Sequence, residues 1–315
     1  MKPLRVLVSL ITDDNDFQLE QAAAARETAK RLGIEVEVLF AENDSITQSQ
    51  QLLKAIQAAP QNRPDAIAVE PVSGTSLPQV ARAAISAGVA WAVVNRTASY
   101  VSDLRLNYKV PIFSVSKDHK EIGRIQGRQI AALLPNGGSI LCITGTSESS
   151  AAQDRTIGMN ETKPENIQIT TLKGQWTEAS ATRVVTSWLR LTTSQKAKID
   201  LVAGQNDVMA LGARRAFEQQ QTSEMDRKRW LSVPYIGIDG VPRTGQAWVR
   251  SGLLAATIIT PPNTPEALEM LHQALRQGIQ RPHVAPAPSV SFPSIEVLAA
   301  SRAPHPATSP TFHRA

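Results

Sequence analysis

The stretch AGQNDVMALGA, residues 203–213, passes from a short apolar run into a helical pattern within a few positions. The apolar run DLVAG (200–204) has the length and composition of a buried strand, and the small residues of the helical part let a helix lie close to a sheet. Asn206 and Asp207 stand at the junction between the two. This order of strand, polar junction and helix recurs along the chain and decides the fold that we expect.

Apolar runs that predict strands alternate with helical patterns. The runs are short and nearly continuous, as parallel strands covered on both faces require. They are RVLVSLI (5–11), EVEVLFA (35–41), AIAVEP (66–71), WAVVN (91–95), SILCITG (139–145), DLVAG (200–204), PYIGID (234–239) and AATII (255–259). Apolar residues three and four apart predict helices within 17–33, 75–88, 121–134, 178–190, 208–220 and 264–278. The alternation predicts an α/β fold with parallel sheets and right-handed crossovers.

Length and composition limit the class of protein. The 315 residues suffice for two domains, because single cores stop growing near about 250 residues. Hydrophobic residues make up 42% of the chain, and no run approaches the roughly 18 apolar residues of a membrane helix, so we expect a soluble globular protein. The net charge of +5 comes from scattered basic residues, which argues against a nucleic-acid-binding surface. The single cysteine, Cys142, is expected to be buried in a strand, with no disulfide within the chain.

The two ends of the chain carry predictions of their own. The opening MKPLRVLVSLIT (1–12) predicts a first strand rather than a signal peptide, because its apolar run is short, β-branched and followed by acidic residues. The Pro-rich end, residues 301–315, is expected to be a mobile tail, because proline opposes both helices and central strands.

Polar and aromatic residues follow the predicted strands where each strand ends. In open α/β sheets, ligands collect beyond the carboxyl ends of the strands. The residues expected at this edge are Ser9, Asn15, Phe17, Glu70, Asn95, Arg96, Arg155, Trp176, Asn206, Asp239 and Thr260. The pattern predicts a binding site for a small molecule.

Four segments in this order resemble the periplasmic sugar-binding proteins of ABC uptake systems, particularly the ribose-binding type, and the related effector domains of lactose-repressor-like regulators. They are SAAQDRTIGM (150–159), AGQNDVMALGARRAF (203–217), YIGIDGVP (235–242) and GLLAATI (252–258), and the likeness extends over about residues 4–300. The resemblance implies two Rossmann-like lobes with parallel sheets, joined by a three-crossing hinge that closes on a small sugar or sugar-like polyol. It implies an N-terminal lobe of residues 1–115 plus 262–288, and a C-terminal lobe of residues 116–261 plus 289–300.

The resemblance also implies roles for matching residues. Phe17 and Trp176 match aromatic residues that stack on the two faces of a sugar ring, and Arg96 and Arg155 match arginines that donate to sugar oxygens. More ordinary roles remain open, because Phe17 can pack against its own helix and either arginine can lie on the surface.

The strand-to-helix junctions have both functional and structural explanations. Asn206 and Asp239 match residues that bind sugar hydroxyls. Asn206 can instead cap a helix and Asp239 can occupy a turn before Gly240. We expect Asp207 to be the residue that caps the helix of residues 208–219.

Several positions depart from the ribose-type pattern. Asn95 replaces an aspartate, Thr260 replaces a glutamine, and Gln18 replaces the second of two aromatic residues. Glu70 stands where the ribose type has an uncharged amide. The departures argue against ribose itself as the ligand, while Ser9, Asn15, Glu70, Asn95 and Thr260 remain candidate cleft residues.

The sequence favours binding over catalysis. It contains no GxxxxGK[ST], GxGxxG, HExxH or GxSxG motif, and its five histidines are dispersed. His119 is expected on the surface at the start of a helix, and Glu70 with Asp239 is the one carboxylate pair that could imitate an acid and a base. We therefore expect no enzyme activity, no cofactor and no metal.

The partners follow from the same resemblance. They are a small sugar or polyol ligand and a membrane ABC permease, or a sensor kinase, which the sequence does not separate from a permease. A lactose-repressor-like regulator would carry about sixty residues of helix-turn-helix and hinge before the first strand, whereas the first predicted strand begins at residue 5, so no nucleic acid is expected. A monomer in the periplasm is expected from the resemblance, although the chain shows no signal peptide.

Overall fold

Strands and helices alternate from Arg5 onward in the computed structural model, which describes residues 2–73, 76–195, 197–219, 224–279, 284 and 287–301. Residues 302–315 of the expected tail lie outside the described residues. The elements up to the end of the first sheet are β1 (Arg5–Leu10), α1 (Asp16–Leu32), β2 (Glu35–Phe40), α2 (Ser45–Ile56), β3 (Ala66–Val69), α3 (Pro78–Ser86), β4 (Ala90–Val94), α4 (Tyr100–Asn107) and β5 (Ile112–Val115).

The first sheet has the strand order β2-β1-β3-β4-β5, with every neighbouring pair parallel. Its apolar side chains point alternately to opposite faces, since Val6 and Val8 join one buried cluster and Leu7 joins another. Helices therefore cover both faces, which explains why the strands of this lobe are almost continuously apolar. The strand order reverses between β1 and β3, and this is the point where open α/β sheets bind ligands.

The second lobe repeats this arrangement. Its elements are α5 (His119–Leu133), β6 (Gly138–Thr144), α6 (Ser150–Thr162), β7 (Ile167–Lys173), α7 (Glu178–Leu189), α8 (Thr192–Gln195), β8 (Leu201–Gly204), α9 (Asp207–Gln219), α10 (Glu224–Ser232), β9 (Tyr235–Ile236), α11 (Gly245–Arg250) and β10 (Thr257–Ile259). The parallel sheet has the order β7-β6-β8-β9 and reverses between β6 and β8. Cys142 is buried in β6.

The chain passes between the lobes near the open ends of the sheets. It leaves the first lobe between β5 and α5 and returns between β10 and α12 (Thr264–Arg276), whose Ala267, Leu268 and Leu271 share a core cluster with β1 and α1. It then enters the second lobe again as β11 (Val290–Phe292), followed by α13 (Ile295–Ala300). The α/β fold with parallel sheets in two lobes, predicted from sequence, is thereby confirmed.

One sheet departs from the parallel pattern, because β10 and β11 pair antiparallel. The pairing holds the last described strand against the second lobe, where α13 also packs on α5. Within the described residues, no helix is both long enough and apolar enough to cross a lipid bilayer.

Candidate functional site

A cavity lies between the two lobes, beyond the carboxyl ends of their strands. The cavity is lined by Ile11, Thr12, Asn15, Phe17, Gln18, Glu70, Asn95 and Arg96 of the first lobe, and by Ala151, Arg155, Trp176, Asn206 and Asp239 of the second. Most of these residues follow strands on either side of the two reversal points, so the topology itself brings them together.

Most of the residues singled out from the sequence line this cavity, but Ser9 and Thr260 do not. Ser9 is fully buried, and its hydroxyl accepts a hydrogen bond from Gln48 Nε2 at 3.1 Å. The Thr260 hydroxyl donates to the main-chain oxygen of Asp239 at 3.3 Å. The Ser9 hydroxyl joins β1 to Gln48 of α2, whereas Thr260 helps to hold the loop that carries Asp239.

The structure adds four lining residues that were not among the candidates from sequence: Ile11, Thr12, Gln18 and Ala151. Ala151 lies one helical turn before Arg155 on the same face of α6, so the helical period was a signal for it. Ile11 and Thr12 directly follow β1. In the sequence, Gln18 was identified only as a departure from the ribose-type pattern.

The wall formed by the first lobe contains a hydrogen-bonded group of polar side chains. Glu70 is buried directly after β3, and its Oε2 accepts from Gln18 Nε2 while its Oε1 accepts from Asn95 Nδ2, each at 3.0 Å. Three of the four positions that the sequence identified as departures, Gln18, Glu70 and Asn95, are thus bonded together. Arg96 Nε lies 3.9 Å from Glu70 Oε1, which makes Glu70 the nearest counter-charge of that arginine.

Two arginines approach Trp176 from opposite lobes. The guanidinium carbons of Arg96 and Arg155 lie 5.8 and 5.6 Å from the centre of the Trp176 ring, within cation–π range. Arg96 Nη1 donates to the main-chain oxygens of Pro71 and Val72, and Arg155 Nη1 donates to that of Gln205. Both head groups are therefore held by loop carbonyls and aimed at the cavity.

Both arginines keep donors that the protein does not use. Within the described part of the chain, Arg96 Nε, Arg155 Nε and Trp176 Nε1 are buried without a hydrogen-bond partner. Burial lowers the pKa of both guanidinium groups, and the carboxylates of Glu70 and Asp239 oppose that fall at Arg96 and Arg155 respectively. An unpaired buried donor is costly, so the cavity favours a guest rich in oxygen acceptors.

Trp176 links the two lobes through its main chain. Its carbonyl oxygen accepts from Asn15 Nδ2 at 2.7 Å and from Asn206 Nδ2 at 2.9 Å. Its φ of 66° lies in the left-handed region, which is an uncommon conformation for a bulky residue. Phe17 also lines the cavity, at the start of α1, where Asn15 caps the helix by accepting from the main-chain nitrogens of Phe17 and Gln18.

Asn206, and not Asp207, caps α9. Asn206 Oδ1 accepts from the Met209 main-chain nitrogen at 3.0 Å and so caps α9, the role that the sequence assigned to Asp207. The Asp207 carboxylate instead accepts from the Gly240 nitrogen at 2.8 Å and from the Thr257 hydroxyl at 2.6 Å. Burial raises the pKa of Asp207 to about 7, although both hydrogen bonds act in the opposite direction. The expectation that Asp207 caps α9 was wrong, since Asp207 anchors the loop that presents Asp239.

Asp239 presents an unpaired carboxylate to the cavity. The side chain is buried, and no hydrogen bond to its carboxylate oxygens occurs among the described residues. Burial raises the pKa of Asp239 well above the ordinary value, a rise that Arg155 opposes and Asp207 increases. A carboxylate in this setting is stabilised by any guest that donates hydroxyl groups to it.

His119 is not on the surface, contrary to the expectation from sequence. It begins α5 as predicted, but its ring is buried and its Nε2 lies 2.8 Å from the main-chain oxygen of Asn95. Burial, together with the charge of Arg155, lowers the pKa of His119 to about 3. The histidine therefore joins the start of the second lobe to the cavity wall as a neutral group.

Comparison with known proteins gives a consistent family assignment. The family described as "Periplasmic binding protein domain" matches residues 6–279. The chain is 25% identical over 277 residues to the ribose import binding protein RbsB of Bacillus subtilis, an alignment that covers 86% of this chain and 83% of that protein. It is 30% identical over 246 residues to the xylitol-binding protein of Mycolicibacterium smegmatis, covering 77% of this chain and 63% of that one.

Solved structures share the fold. A galactofuranose binding protein superposes with a TM-score of 0.78 at 21% identity, covering 95% of this chain and 97% of the other. The myo-inositol binding protein of Caulobacter superposes with a TM-score of 0.76 at 22% identity, covering 94% and 95% of the two chains. The chain therefore belongs to the periplasmic binding protein family and has the fold of its type 1 members.

Proposed function

We propose that this protein is a solute-binding protein that clamps a small sugar or sugar-like polyol between its lobes for ABC-type uptake. One observation carries the proposal: the cavity between the lobes combines unpaired buried donors on Arg96, Arg155 and Trp176 with the unpaired carboxylate of Asp239. Vicinal hydroxyl groups satisfy both needs, since each hydroxyl can accept from a guanidinium group and donate to a carboxylate.

The names of related proteins support this ligand class. Besides the ribose and xylitol binders, the chain is 26% identical over 216 residues to a putative rhizopine-binding protein of Rhizobium meliloti, covering 67% of this chain and 66% of that protein. With several charge-assisted and neutral hydrogen bonds set against the cost of association, the expected affinity is about micromolar.

Closure of the cleft is the proposed mechanism. The two lobes touch at sites around the cavity, where Asn43 Nδ2 donates to the Gln175 oxygen at 3.0 Å and the Thr97 nitrogen donates to Ser150 Oγ at 3.2 Å. A ligand that contacts both lobes binds the closed form more tightly than the open form and therefore selects it. The proposed lobes are residues 1–115 plus 262–288 and residues 116–261 plus 289–300.

We propose that the protein catalyses no reaction and holds no cofactor. The neutral, buried His119 is a poor acid or base near neutral pH, and the described residues contain no cluster of three metal-ligating side chains. Its proposed partners are a membrane ABC permease or a sensor kinase, with no nucleic acid. We further propose that it acts as a monomer outside the cytoplasm, as its resemblance to periplasmic relatives implies.

A thermal-shift screen tests the proposal. The purified protein is heated with D-ribose, D-allose, xylitol, myo-inositol, L-arabinose and D-fructose, and with D-gluconate as an anionic control. We expect at least one neutral compound to raise the melting temperature, because a ligand that binds only the folded state stabilises it. A panel with no effect contradicts the proposal, and turnover of a stabilising compound would favour an enzyme instead.

A further inference from the structure

The cavity wall of the first lobe contains three side chains that hold one another, and we call Gln18, Glu70 and Asn95 the amide–carboxylate unit. Glu70 accepts from Gln18 Nε2 and from Asn95 Nδ2, both at 3.0 Å. All three line the cavity and are at least nine-tenths buried, and all belong to the first lobe. The unit is therefore present whether the cleft is open or closed.

The main chain fixes the orientation of each amide in the unit. The Ile11 nitrogen donates to Gln18 Oε1 at 3.0 Å, and a main-chain N–H can only donate, so the NH₂ group of Gln18 must face Glu70. The carboxylate of Glu70 can only accept, so the NH₂ group of Asn95 must face it as well. The Asn95 main chain is also held, because its nitrogen donates to the Val115 oxygen at 2.8 Å.

This orientation leaves Asn95 Oδ1 as the amide atom that meets the cavity. Beside it, Arg96 Nε lacks a hydrogen-bond partner among the described residues. The pair offers one neutral acceptor and one cationic donor at adjacent positions. A hydroxyl group satisfies both, whereas the negative charge of Glu70 directly behind them disfavours an anionic group.

Resting on the proposed function, we propose that Glu70 is a positioning residue that determines specificity through Asn95. Glu70 holds the Asn95 amide with its oxygen toward the cavity, so that a hydroxyl of a neutral polyol donates to Asn95 Oδ1. Glu70 acts through Asn95, because each of its oxygens is already bonded to an amide of the unit.

Glu70→Gln is the first test variant. Gln18 keeps its NH₂ group toward position 70, so the introduced glutamine must point its oxygen at Gln18 and its own NH₂ group at Asn95. Asn95 must then turn over to accept, and its NH₂ group replaces Oδ1 at the cavity. We expect the affinity for a polyol to fall at least about tenfold, and the ligand-free protein to lose stability as well, because the buried Arg96 loses its nearest counter-charge.

Asn95→Asp supplies the matched rescue. Alone it places a second carboxylate against Glu70, which we expect to weaken binding and to lower the stability of the ligand-free protein. In the double variant with Glu70→Gln, the introduced glutamine donates to one oxygen of the introduced aspartate, and the other oxygen of that aspartate faces the cavity as an acceptor. We expect the double variant to recover both stability and affinity.

The experiment measures stability and ligand affinity for the wild type, Glu70→Gln, Asn95→Asp and the double variant. The exposed variant Asp103→Asn is the control. Urea unfolding of the ligand-free proteins shows whether Asn95→Asp destabilises only when Glu70 is present. Calorimetric titration with D-ribose, D-allose, xylitol and myo-inositol shows whether the double variant regains the affinity lost by Glu70→Gln.

The outcomes separate this inference from the proposed function. Equal destabilisation by Asn95→Asp in both backgrounds, unchanged binding by Glu70→Gln, or a double variant as weak as Glu70→Gln each overturn the positioning role. A wild-type protein that binds none of the four probes contradicts the proposed function, and the urea comparison then decides the inference without a ligand.

Discussion

At the scale of single residues, the cavity separates side chains that the protein satisfies from those it leaves for a ligand. Asn15 and Asn206 use their amides to cap helices and to hold the Trp176 carbonyl. Asp239 has no such bond within the described chain, although it is equally buried. Asp239, whose side chain makes the fewest hydrogen bonds of the three within the described residues, is therefore expected to contribute most to binding.

Replacing Asp239 tests this distinction. We expect Asp239→Asn to weaken ligand binding by at least about 1.5 kcal/mol, because a charged acceptor becomes a neutral one. The ligand-free protein should keep a similar stability, because relief from burying the Asp239 carboxylate offsets the loss of a counter-charge for Arg155, and asparagine has backbone preferences close to those of aspartate at the φ of 114°. Calorimetry and thermal unfolding measure the two effects, with Asp103→Asn as the exposed control. A large loss of ligand-free stability would show that Asp239 is structural.

Asp207 predicts a pH dependence of stability. Its folded pKa of about 7 exceeds the ordinary value of 3.8, so between these values the folded state binds a proton that the unfolded state has lost. Asp207 therefore contributes a fall in the free energy of unfolding of up to about 4 kcal/mol as the pH rises from about 4 to about 7. His119 acts in the opposite direction over much of this range, because its folded pKa of about 3 lies below the ordinary value of 6.5.

Asp207→Asn should remove most of this fall. The asparagine oxygen can accept from the Gly240 nitrogen, and its NH₂ group can donate to the Thr257 hydroxyl. Urea unfolding at intervals between pH 4 and pH 8 measures the slope for both proteins. Identical slopes would contradict the raised pKa of Asp207, whereas a residual slope in the variant is expected from Asp239, whose pKa is raised, and from His119, whose pKa is lowered.

The sequence predicted which residues line the cavity more accurately than it predicted the role of each residue. The sequence did not predict the role of Asp207, because its partners, Gly240 and Thr257, lie more than thirty residues away along the chain. Local sequence carries no signal for such contacts. Gln18 became significant only once the fold had placed Glu70 beside it.

At the scale of secondary structure, two glycines allow α5 and α6 to pack closely and thereby set the position of Arg155. A Cβ atom added at Gly123 would lie 2.2 Å from the Arg155 main-chain oxygen, and one added at Gly158 would lie 1.9 Å from that of Lys120. Backbone atoms cannot move aside as a flexible side chain can. The close approach of the helices therefore depends on both glycines.

Gly123→Ala is expected to separate these helices. Overpacking of this kind costs about 1–3 kcal/mol of stability, and the displaced α6 should carry Arg155 away from the cavity. Chemical unfolding and a binding titration measure the two effects together. A variant with wild-type stability and affinity would show that this helix contact does not position the arginine.

The strands that the sequence failed to predict were missed for different physical reasons. β7 lies at the edge of the second sheet and is largely exposed or half-buried, so it lacks the continuous apolar run that identified the others. β5 (Ile112–Val115) is short, and one of its four residues is exposed. The antiparallel pair β10–β11 depends on a return of the chain between lobes, which a local pattern does not contain.

At the scale of the whole molecule, the cavity depends on contact between the lobes. Asn15 donates across the cleft to Trp176, and the ring of His119, at the start of the second lobe, is hydrogen-bonded to Asn95 in the first. Residues that line the cavity thus also hold the lobes together. The alternation of strands and helices predicted parallel sheets, and the chain length and the family resemblance predicted two lobes, while the lobe boundaries remain a prediction.

Small-angle X-ray scattering tests the central claim, that a neutral polyol is clamped between the two lobes. The protein is measured alone and with the panel compound that gives the largest thermal shift, at a concentration that saturates the wild type. We expect the compound to reduce the radius of gyration of the wild type, and to reduce that of Asp239→Asn less at the same concentration. A compound that binds tightly without changing the radius of gyration would contradict clamping by lobe closure.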